Sequence, residues 1–585
     1  MSGPGWLTLV VIAITLVVLV RDLYSPAATL IGGVVALLVL GVITPEQAFA
    51  GFSNPAPITV AALYVIARAV EKTGALQPLL ELTLGDGGKP RAALARLLFP
   101  TAAASAFLNN TPIVAMLAPQ ISAWAERQRL SASHLLMPLS FATILGGVIT
   151  LIGTSTNLVV SGMLQAEGMA PLGMFELTPV GLPVALIGVL FLVLFSQRLL
   201  PARRGAARTA EEELRSFTFA MRVIPGGSLD GASVEGAGLR RLEGVFLVEV
   251  ERQDQVIAPV GPEVQLRGGD LLTFAGRADL VLDLQHKRGL VSTEQQHLLR
   301  FDLPGHTFFE AVIGEASPLV SRTLREVAFR GRYQAAVLAV HRAGERVQSK
   351  LGEVRLKVGD TLLLLADPEF ASRWRDRPDF LLVSRRGGAP PMATRKAWLV
   401  GLITAAMVVV AAIGALPILQ AALLAVVAII ASGVLSPGEA RSAIDLDVIL
   451  VIAAAFGLGA AIESSGLATL IGHALVAAGA AFGTKGALLA VIIATISLTE
   501  LITNNAAAAL MFPIAMAAST ELGADPRGFA IALAIAASAS FLTPIGYQTN
   551  TMVYGMGGYR FTDYARLGLA LTILVAAVVL VSVQL

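Results

Sequence analysis

The chain has 585 residues, of which 55% are hydrophobic and only 14% charged, with a mean hydropathy of +0.73. Soluble domains carry about 25% charged residues, which argues against an ordinary cytosolic enzyme. The formal net charge of +2 gives no footing for nucleic-acid binding, and the absence of cysteine removes disulfides, thiolate metal sites and cysteine nucleophiles together.

The first apolar stretch, Trp6–Val20, lacks a basic leader and is followed by Arg21 instead of a small-residue cleavage site. It reads as a retained membrane span and not as a signal peptide. Further stretches able to span fall near 26–43, 55–71, 134–163 and 179–199. Residues 203–395 are then dense in Arg, Glu, Asp and Lys, as a water-soluble insert would be. From Ala397 to Gly438 no charged residue occurs, enough for two crossings of about 20 residues each. The spans after the insert fall near 397–413, 417–435, 446–463, 528–556 and 566–584. Two more apolar stretches, 91–126 and 486–520, are interrupted by the polar tips Asn109-Asn110-Thr111 and Thr503-Asn504-Asn505. A polar tip halfway along an apolar stretch suits a re-entrant hairpin, whose unwound backbone is tolerated only where it lines a polar cavity.

The membrane halves repeat one another. Ala67–Gly74 matches Gly459–Gly466 at an offset of 392, Asn110 and Pro119 match Asn504 and Pro513 at 394, and Gly153–Asn157 matches Gly546–Asn550 at 393. Each half holds five crossings plus one hairpin, and an odd number of crossings sets the two copies in opposite orientations. With the N-terminus outside, Arg21, Lys72, Lys89, Arg91, Arg127, Arg129, Arg203, Arg204, Arg441, Arg560 and Arg566 all fall in the cytoplasm, as the positive-inside rule requires. The expected architecture is a polytopic α-helical membrane protein with an inverted 5+5 transmembrane repeat, two re-entrant hairpins and an α+β cytoplasmic insert. Both termini lie outside the cell inner (plasma) membrane. The first membrane repeat covers 1–200, a linker 201–214, insert subdomains 215–290 and 300–384, a second linker 385–396, and the second membrane repeat 397–585. The insert has its own repeat at an offset of 90: Val250-Glu251-Arg252 and Gly269-Asp270 return as Val340-His341-Arg342 and Gly359-Asp360. Its alternating runs Val245–Val250, Leu271–Phe274, Ala336–Val340 and Thr361–Leu365 read as strands.

Inverted repeats broken at corresponding positions point to a transporter site. The two tips and the two breaks, at Gly153–Asn157 and Thr543–Asn550, supply small polar side chains, free carbonyls and helix N-termini, and none contains Lys or Arg. Carbonyl, amide and hydroxyl oxygens suit Na⁺, and helix N-termini suit an oxyanion. An anion held by neutral donors binds well only after the cation has entered, which couples the two. Phosphate-binding glycine loops and Walker motifs are absent, so ATP-driven pumping has no visible machinery.

With these residues the chain resembles the divalent anion–sodium symporters, which carry sulfate, dicarboxylates and tricarboxylates. The resemblance covers roughly 1–200 and 395–585. The family's Ser-Asn-Thr tips, each followed by an apolar run to Pro, are matched by Asn109-Asn110-Thr111 before Pro119 and Thr503-Asn504-Asn505 before Pro513. Its Thr-Pro-Pro-Asn breaks are matched by Thr154-Ser155-Thr156-Asn157 and Tyr547-Gln548-Thr549-Asn550, neither of which keeps the double proline. In the family a hydroxyl residue five positions before the tip Asn joins each sodium site, and Ser105 and Thr499 occupy those positions. The resemblance implies Na⁺ sites at Ser105, Asn109, Asn110 and Gly153 and at Thr499, Thr503, Asn504 and Gly546. It implies substrate contacts from Asn110, Thr111, Thr154, Thr156, Asn157, Asn504, Asn505, Thr549 and Asn550. The longer Asn side chains at the tips narrow the cavity and favour a compact inorganic dianion such as sulfate over an organic one such as citrate.

The insert resembles a pair of RCK C-terminal (TrkA-C) domains over about 215–370, through Ile224–Gly231, a strand ending in Glu-Arg or His-Arg, and Gly-Asp before a strand. That resemblance implies a regulatory ligand, a nucleotide or cyclic dinucleotide. The expectation is therefore a sodium-coupled importer of a small divalent anion, a homodimer in membrane lipid with no nucleic-acid partner, regulated through its insert. Two rivals stay open: a proton-coupled antiporter or metalloid exporter, for which Glu500 is the nearest titrating acid, and an anion-sensing receptor. Glu71 and Glu463 stand at span ends beside Gly74 and Gly466, where a helix-end role competes with a proton relay.

Overall fold

A computed structural model describes residues 3–21, 23–75, 90–128, 130–203, 218–240, 242, 245–252, 255–276, 289–292, 307–314, 317–342, 345–347, 351–374, 377, 379–385 and 396–584. They form two units, one of Met1–Ala202, Ala389–Tyr554 and Tyr559–Leu585, the other of Arg203–Gly388 and Gly555–Gly558.

In the first unit every described regular element is a helix, and the starts of several are written locally. Ser25, Thr44 and Asn54 each cap a helix that opens with proline: Pro26–Val39, Pro45–Ser53 and Pro55–Thr73. Thr44 and Gln47 form a capping box, as do Ser436 and Glu439 ahead of Pro437–Ser442 in the second half. The short helices Pro45–Ser53 and Pro437–Ser442 are thus counterparts that a search for long apolar runs passes over. Lys72 pairs with Glu439, and this bond with the Ser436 N–H holds the Glu439 carboxyl down at about 2.

Among the described residues, six helical segments are long and apolar enough to cross a membrane: Gly3–Val20, Pro45–Thr73, Thr178–Leu199, Leu446–Ser464, Leu467–Thr499 and Phe561–Ser582. The helix Leu467–Gly479 lies outside the spans read from sequence, and most of its first-half counterpart falls outside the described residues. Large apolar side chains such as Val39, Trp398, Ile413 and Val427 are exposed, as lipid-facing surfaces are.

The runs read as single spans at 134–163 and 528–556 are each two helices. Ser133–Gly147 is followed by Ser155–Ala166, and Pro526–Ser538 by Gln548–Met556. Asn157 and Asn550, expected inside the breaks, instead belong to the first turn of the second helix, because their side chains bind back across the unwound segment. The polar tips likewise separate Pro90–Ser105 from Asn110–Arg127 and Gly483–Thr499 from Asn504–Leu522. Close backbone approach explains paired glycines. A Cβ on Gly181 would lie 2.1 Å from Val148 O, and one on Gly568 would lie 2.0 Å from Phe541 O, so each half packs a terminal helix directly on its break.

The described residues of the second unit form two five-stranded antiparallel sheets, one of β1 (Thr218–Val223), β2 (Val245–Arg252), β3 (Gln255–Ile257), β4 (Leu271–Gly276) and β5 (Leu290–Ser292). The other consists of β6 (Thr307–Val312), β7 (Ala335–Arg342), β8 (Glu345–Arg346), β9 (Thr361–Ala366) and β10 (Leu382–Arg385). Their orders, β3-β2-β4-β1-β5 and β10-β6-β9-β7-β8, are one topology read from opposite edges. Register follows the repeat too: Val250 faces Leu272 as Val340 faces Leu362, and both ladders slip at the same place, between Leu247 and Glu249 and between Val337 and Ala339. The first sheet runs to Ser292, past residue 290, where the sequence reading ended its first subdomain. Each sheet has its own core, Val250, Leu272 and Phe274 in one and Phe309, Val340, Leu364 and Phe370 in the other.

The Gly-Asp turns do more than precede a strand. Asp360 is fully buried and accepts from Arg342 Nε and Nη2 at 2.8 and 2.7 Å and from Lys357 N at 2.8 Å. Asp270 holds Arg252 and Arg267 N in the same way. Removing one partner of a buried ion pair leaves the other uncompensated. Arg342 is a third exposed, so Asp360→Asn is expected to cost about 2 kcal/mol. Hydrogen exchange on the full chain should show β7 and β9 amides about thirtyfold less protected.

Candidate functional site

The polar corners of the two membrane halves meet. In the first half, Ser105 ends its helix with Oγ 2.5 Å from Asn110 Oδ1 and 2.8 Å from Thr143 O. A Cβ on Gly147 would stand 2.7 Å from Asn110 Oδ1, and one on Gly153 would stand 2.5 Å from Gly147 O and 2.7 Å from Ser105 O. Ser105 O, Gly147 O and Asn110 Oδ1 therefore crowd around positions that only glycine can occupy. Asn157 pins the break by donating from Nδ2 to Gly147 O (3.1 Å) and Thr150 O (2.8 Å). Its Oδ1 is buried and has no hydrogen-bond partner among the described residues.

The second half repeats this geometry with different trim. Thr499 Oγ1 donates to Ala537 O at 2.7 Å, as Ser105 does to Thr143 O. Asn550 Nδ2 donates to Ser540 O (2.9 Å) and Thr543 O (3.3 Å). A Cβ on Gly546 would stand 3.1 Å from Thr499 O and 3.2 Å from Glu500 Oε2. Glu500 occupies the place of Ala106 in the first half. Its Oε1 accepts the N–H groups of Phe541 and Leu542, both at 2.8 Å. Thr503 Oγ1 is shielded and without a hydrogen bond among the described residues.

Contacts between the halves join four helix N-termini in two pairs. At the starts of Asn110–Arg127 and Gln548–Met556, Asn110 Nδ2 donates to Tyr547 Oη (2.6 Å) and Thr111 Oγ1 to Gln548 Oε1 (3.2 Å). At the starts of Asn504–Leu522 and Ser155–Ala166, Asn504 Nδ2 donates to Thr156 Oγ1 (2.7 Å) and Ser155 Oγ to Asn505 Oδ1 (3.0 Å). Tyr547 Oη also lies 3.0 Å from Thr154 Oγ1. Four N-terminal dipoles with neutral donors form an environment suited to an anion, while the carbonyl and amide oxygens behind them suit a hard cation.

Most of the residues selected from sequence are thus brought together. Asn109 is turned elsewhere: its Oδ1 takes the Thr111 N–H at 3.4 Å, at the start of its own helix. Thr549 meets Ser140 Oγ at 2.8 Å, and Ser140 also lies 2.7 Å from Asn550 Oδ1. Ser140 was missed because it sits inside an apolar run, and at the repeat offset the second half has Leu533 or Ala534 there. That substitution is why Asn157 Oδ1 lacks the partner that Asn550 Oδ1 has. Tyr547 was read as part of a break, not as the group that fills it. Its signal was the bulky aromatic standing where the repeat has Thr154. Of the flanking acids, Glu71 pairs with Arg68 at 3.0 Å and Glu463 faces Glu167, which leaves Glu500 as the acid at the corners.

A citrate transporter family model matches residues 9–534 and 483–585. An uncharacterized transporter of Synechocystis sp. is 38% identical over 581 residues, covering 97% of this chain and 95% of its own. A putative sulfur deprivation response regulator of Chlamydomonas reinhardtii is 35% identical, covering 96% and 98%. Sodium/sulfate cotransporter 1 of the same alga is 26% identical, covering 97% and 88%.

Proposed function

Because the chain belongs to the citrate transporter family, and is a membrane transporter and not an enzyme, we propose that it is a sodium-coupled importer of a small divalent anion, sulfate before dicarboxylates. The observation that carries this reading is the meeting of the duplicated corners, in which Asn110–Tyr547 and Asn505–Ser155 join the halves across more than 340 residues of sequence. Na⁺ would be held by Ser105, Asn110 and Gly153 with Gly147 O, and by Thr499, Asn504 and Gly546 near Glu500. The anion would lie between the four helix N-termini, against Asn110, Thr111, Thr156, Asn505 and Thr549. With no Lys or Arg in these segments, bound Na⁺ supplies the positive charge that the dianion requires, which makes coupling obligatory. The relatives named as sodium/sulfate cotransporters support the same ion pair. Alternating access would be a movement of the tips and broken helices against the other spans in an inverted 5+5 arrangement with re-entrant hairpins. The other spans would carry a dimer contact, with both termini outside and the insert regulating from the cytoplasm.

The decisive experiment is uptake of labelled sulfate into proteoliposomes. An inward Na⁺ gradient should drive accumulation above equilibrium, and a K⁺ gradient of equal size should not. Failure to accumulate under either would end the importer reading. One relative is named a putative sulfur deprivation response regulator and aligns over the insert as well, which favours a receptor as the second reading. That reading expects saturable sulfate binding with no accumulation in the same vesicles.

Substrate size follows from Tyr547, which is buried with its hydroxyl between Asn110 and Thr154. Tyr547→Ala should open the site so that succinate competes with sulfate uptake about tenfold better than in the parent. Tyr547→Phe keeps the ring and loses two hydrogen bonds, and should slow uptake about tenfold with selectivity unchanged. Inhibition curves for sulfate, succinate and citrate measure both outcomes.

A further inference from the structure

Two arginines stand at equivalent places in the insert repeats, Arg240 in the first and Arg330 in the second, 90 residues apart. Both line one cleft, with Leu239, Phe246, Leu247 and Val260 around them. A neighbouring cavity adds Val337 and Leu365 of the second sheet, so the cleft lies between the repeats. Arg330 donates from Nη1 to Val260 O at 2.8 Å, and among the described residues neither arginine makes an ion pair. Burial, and then the charge of Arg240, push the Arg330 guanidinium below its ordinary pKa.

The contrast lies within the same domains. Arg252 and Arg342, also repeat counterparts, are each clamped by an aspartate. At 240 and 330 the fold instead sets two like charges beside one another over an apolar floor, Arg330 half-buried and Arg240 exposed, and a bound anion would relieve their repulsion. Guanidinium forks match the oxygens of tetrahedral anions. The adjoining cavities measure about 10 and about 30 Å³, where one water needs roughly 10–15 Å³. That is a shallow recess beside the arginines, of a size for a compact ion set between their guanidinium groups.

We propose that the inter-repeat cleft of the insert binds a small tetrahedral oxyanion, sulfate or inorganic phosphate, between the guanidinium groups of Arg240 and Arg330. The cleft shares no residue with the polar corners of the membrane unit, so it stands or falls independently of the transported ion. It gives the insert a means of reading the cytoplasmic concentration of such an anion.

The test is hydrogen exchange on the full-length protein in detergent and Na⁺-free buffer, titrated separately with potassium sulfate and potassium phosphate against potassium chloride of matched ionic strength. Saturable protection of peptides spanning 234–248 and 330–337 is expected with at least one oxyanion, and the two midpoints tell which. The protection should persist in Asn505→Ala, which alters the membrane corners. It should need about tenfold more anion in Arg240→Gln and vanish in Arg240→Glu. Arg240 is exposed, so these variants should keep the fold, which exchange elsewhere in the insert checks directly. The proposal is overturned by equal protection from chloride, by no protection from either oxyanion, or by unchanged midpoints in both Arg240 variants.

Discussion

Gly153→Ala is expected to reduce sulfate uptake at least a hundredfold in protein that still assembles in the membrane. The new methyl group would lie 2.5 Å from Gly147 O and 2.7 Å from Ser105 O, and both are backbone atoms that no rotamer change can remove. The break must shift against the end of the helix Pro90–Ser105, spreading the oxygens that would coordinate the first Na⁺. Sites of this kind tolerate displacements of only about 0.5 Å. The same change in the other half should be milder. At Gly546 the closest atom is Ser540 Oγ, at 2.1 Å, and a serine side chain can rotate away, leaving Thr499 O at 3.1 Å. Gly546→Ala is therefore expected to cost about tenfold, since only a smaller shift is then needed. Initial rates at equal reconstituted protein measure both variants. Full activity in Gly153→Ala would show that this oxygen cluster is not a coupling site.

Glu500→Ala should lower the stability of the purified protein by about 3 kcal/mol, whereas Glu500→Gln should stay within about 1 kcal/mol of the parent. The reason is the bond of Oε1 to the Phe541 and Leu542 N–H groups. Alanine orphans one buried and one partly buried donor, at about 1–3 kcal/mol for a buried one and less for the other, while glutamine keeps an acceptor in place. Thermal unfolding in detergent distinguishes the two. Glutamine removes the charge beside Gly546, so its uptake should need a higher Na⁺ concentration for half-maximal rate. An altered pH profile with unchanged Na⁺ dependence would instead favour the proton-coupled rival.

How much of this was legible beforehand depends on the range of the interaction. The tips at Asn110 and Asn504 were legible because duplication displays them twice at nearly one offset, whereas the hydroxyls at Ser105 and Thr499 were picked out only through the family resemblance. The strands β2, β4, β7 and β9 were legible from alternation. The shorter β3, β5 and β8 were not, since two or three residues carry no periodicity. Helix Pro45–Ser53 carries a capping box and a proline, a local signal, but a nine-residue helix does not register in a search for spans. Ser140 and Tyr547 were invisible for another reason: each matters through what its partner in the opposite half does, and nothing near either residue in sequence records that.

The sequence by itself determined the division into an apolar framework and a charged insert, the two duplications, and the exclusion of charge from four polar segments. These are consequences of desolvation cost and of repeat spacing, which act along the chain. Only the tertiary structure decided that Asn110 meets Tyr547, that Ser155 meets Asn505, that Ser140 serves Asn550 but nothing serves Asn157 Oδ1, and that Arg240 and Arg330 share a cleft. Hydrogen bonds and charge contacts between residues so far apart in sequence depend on how whole helices and sheets pack, and a packing solution has no local spacing from which it can be read.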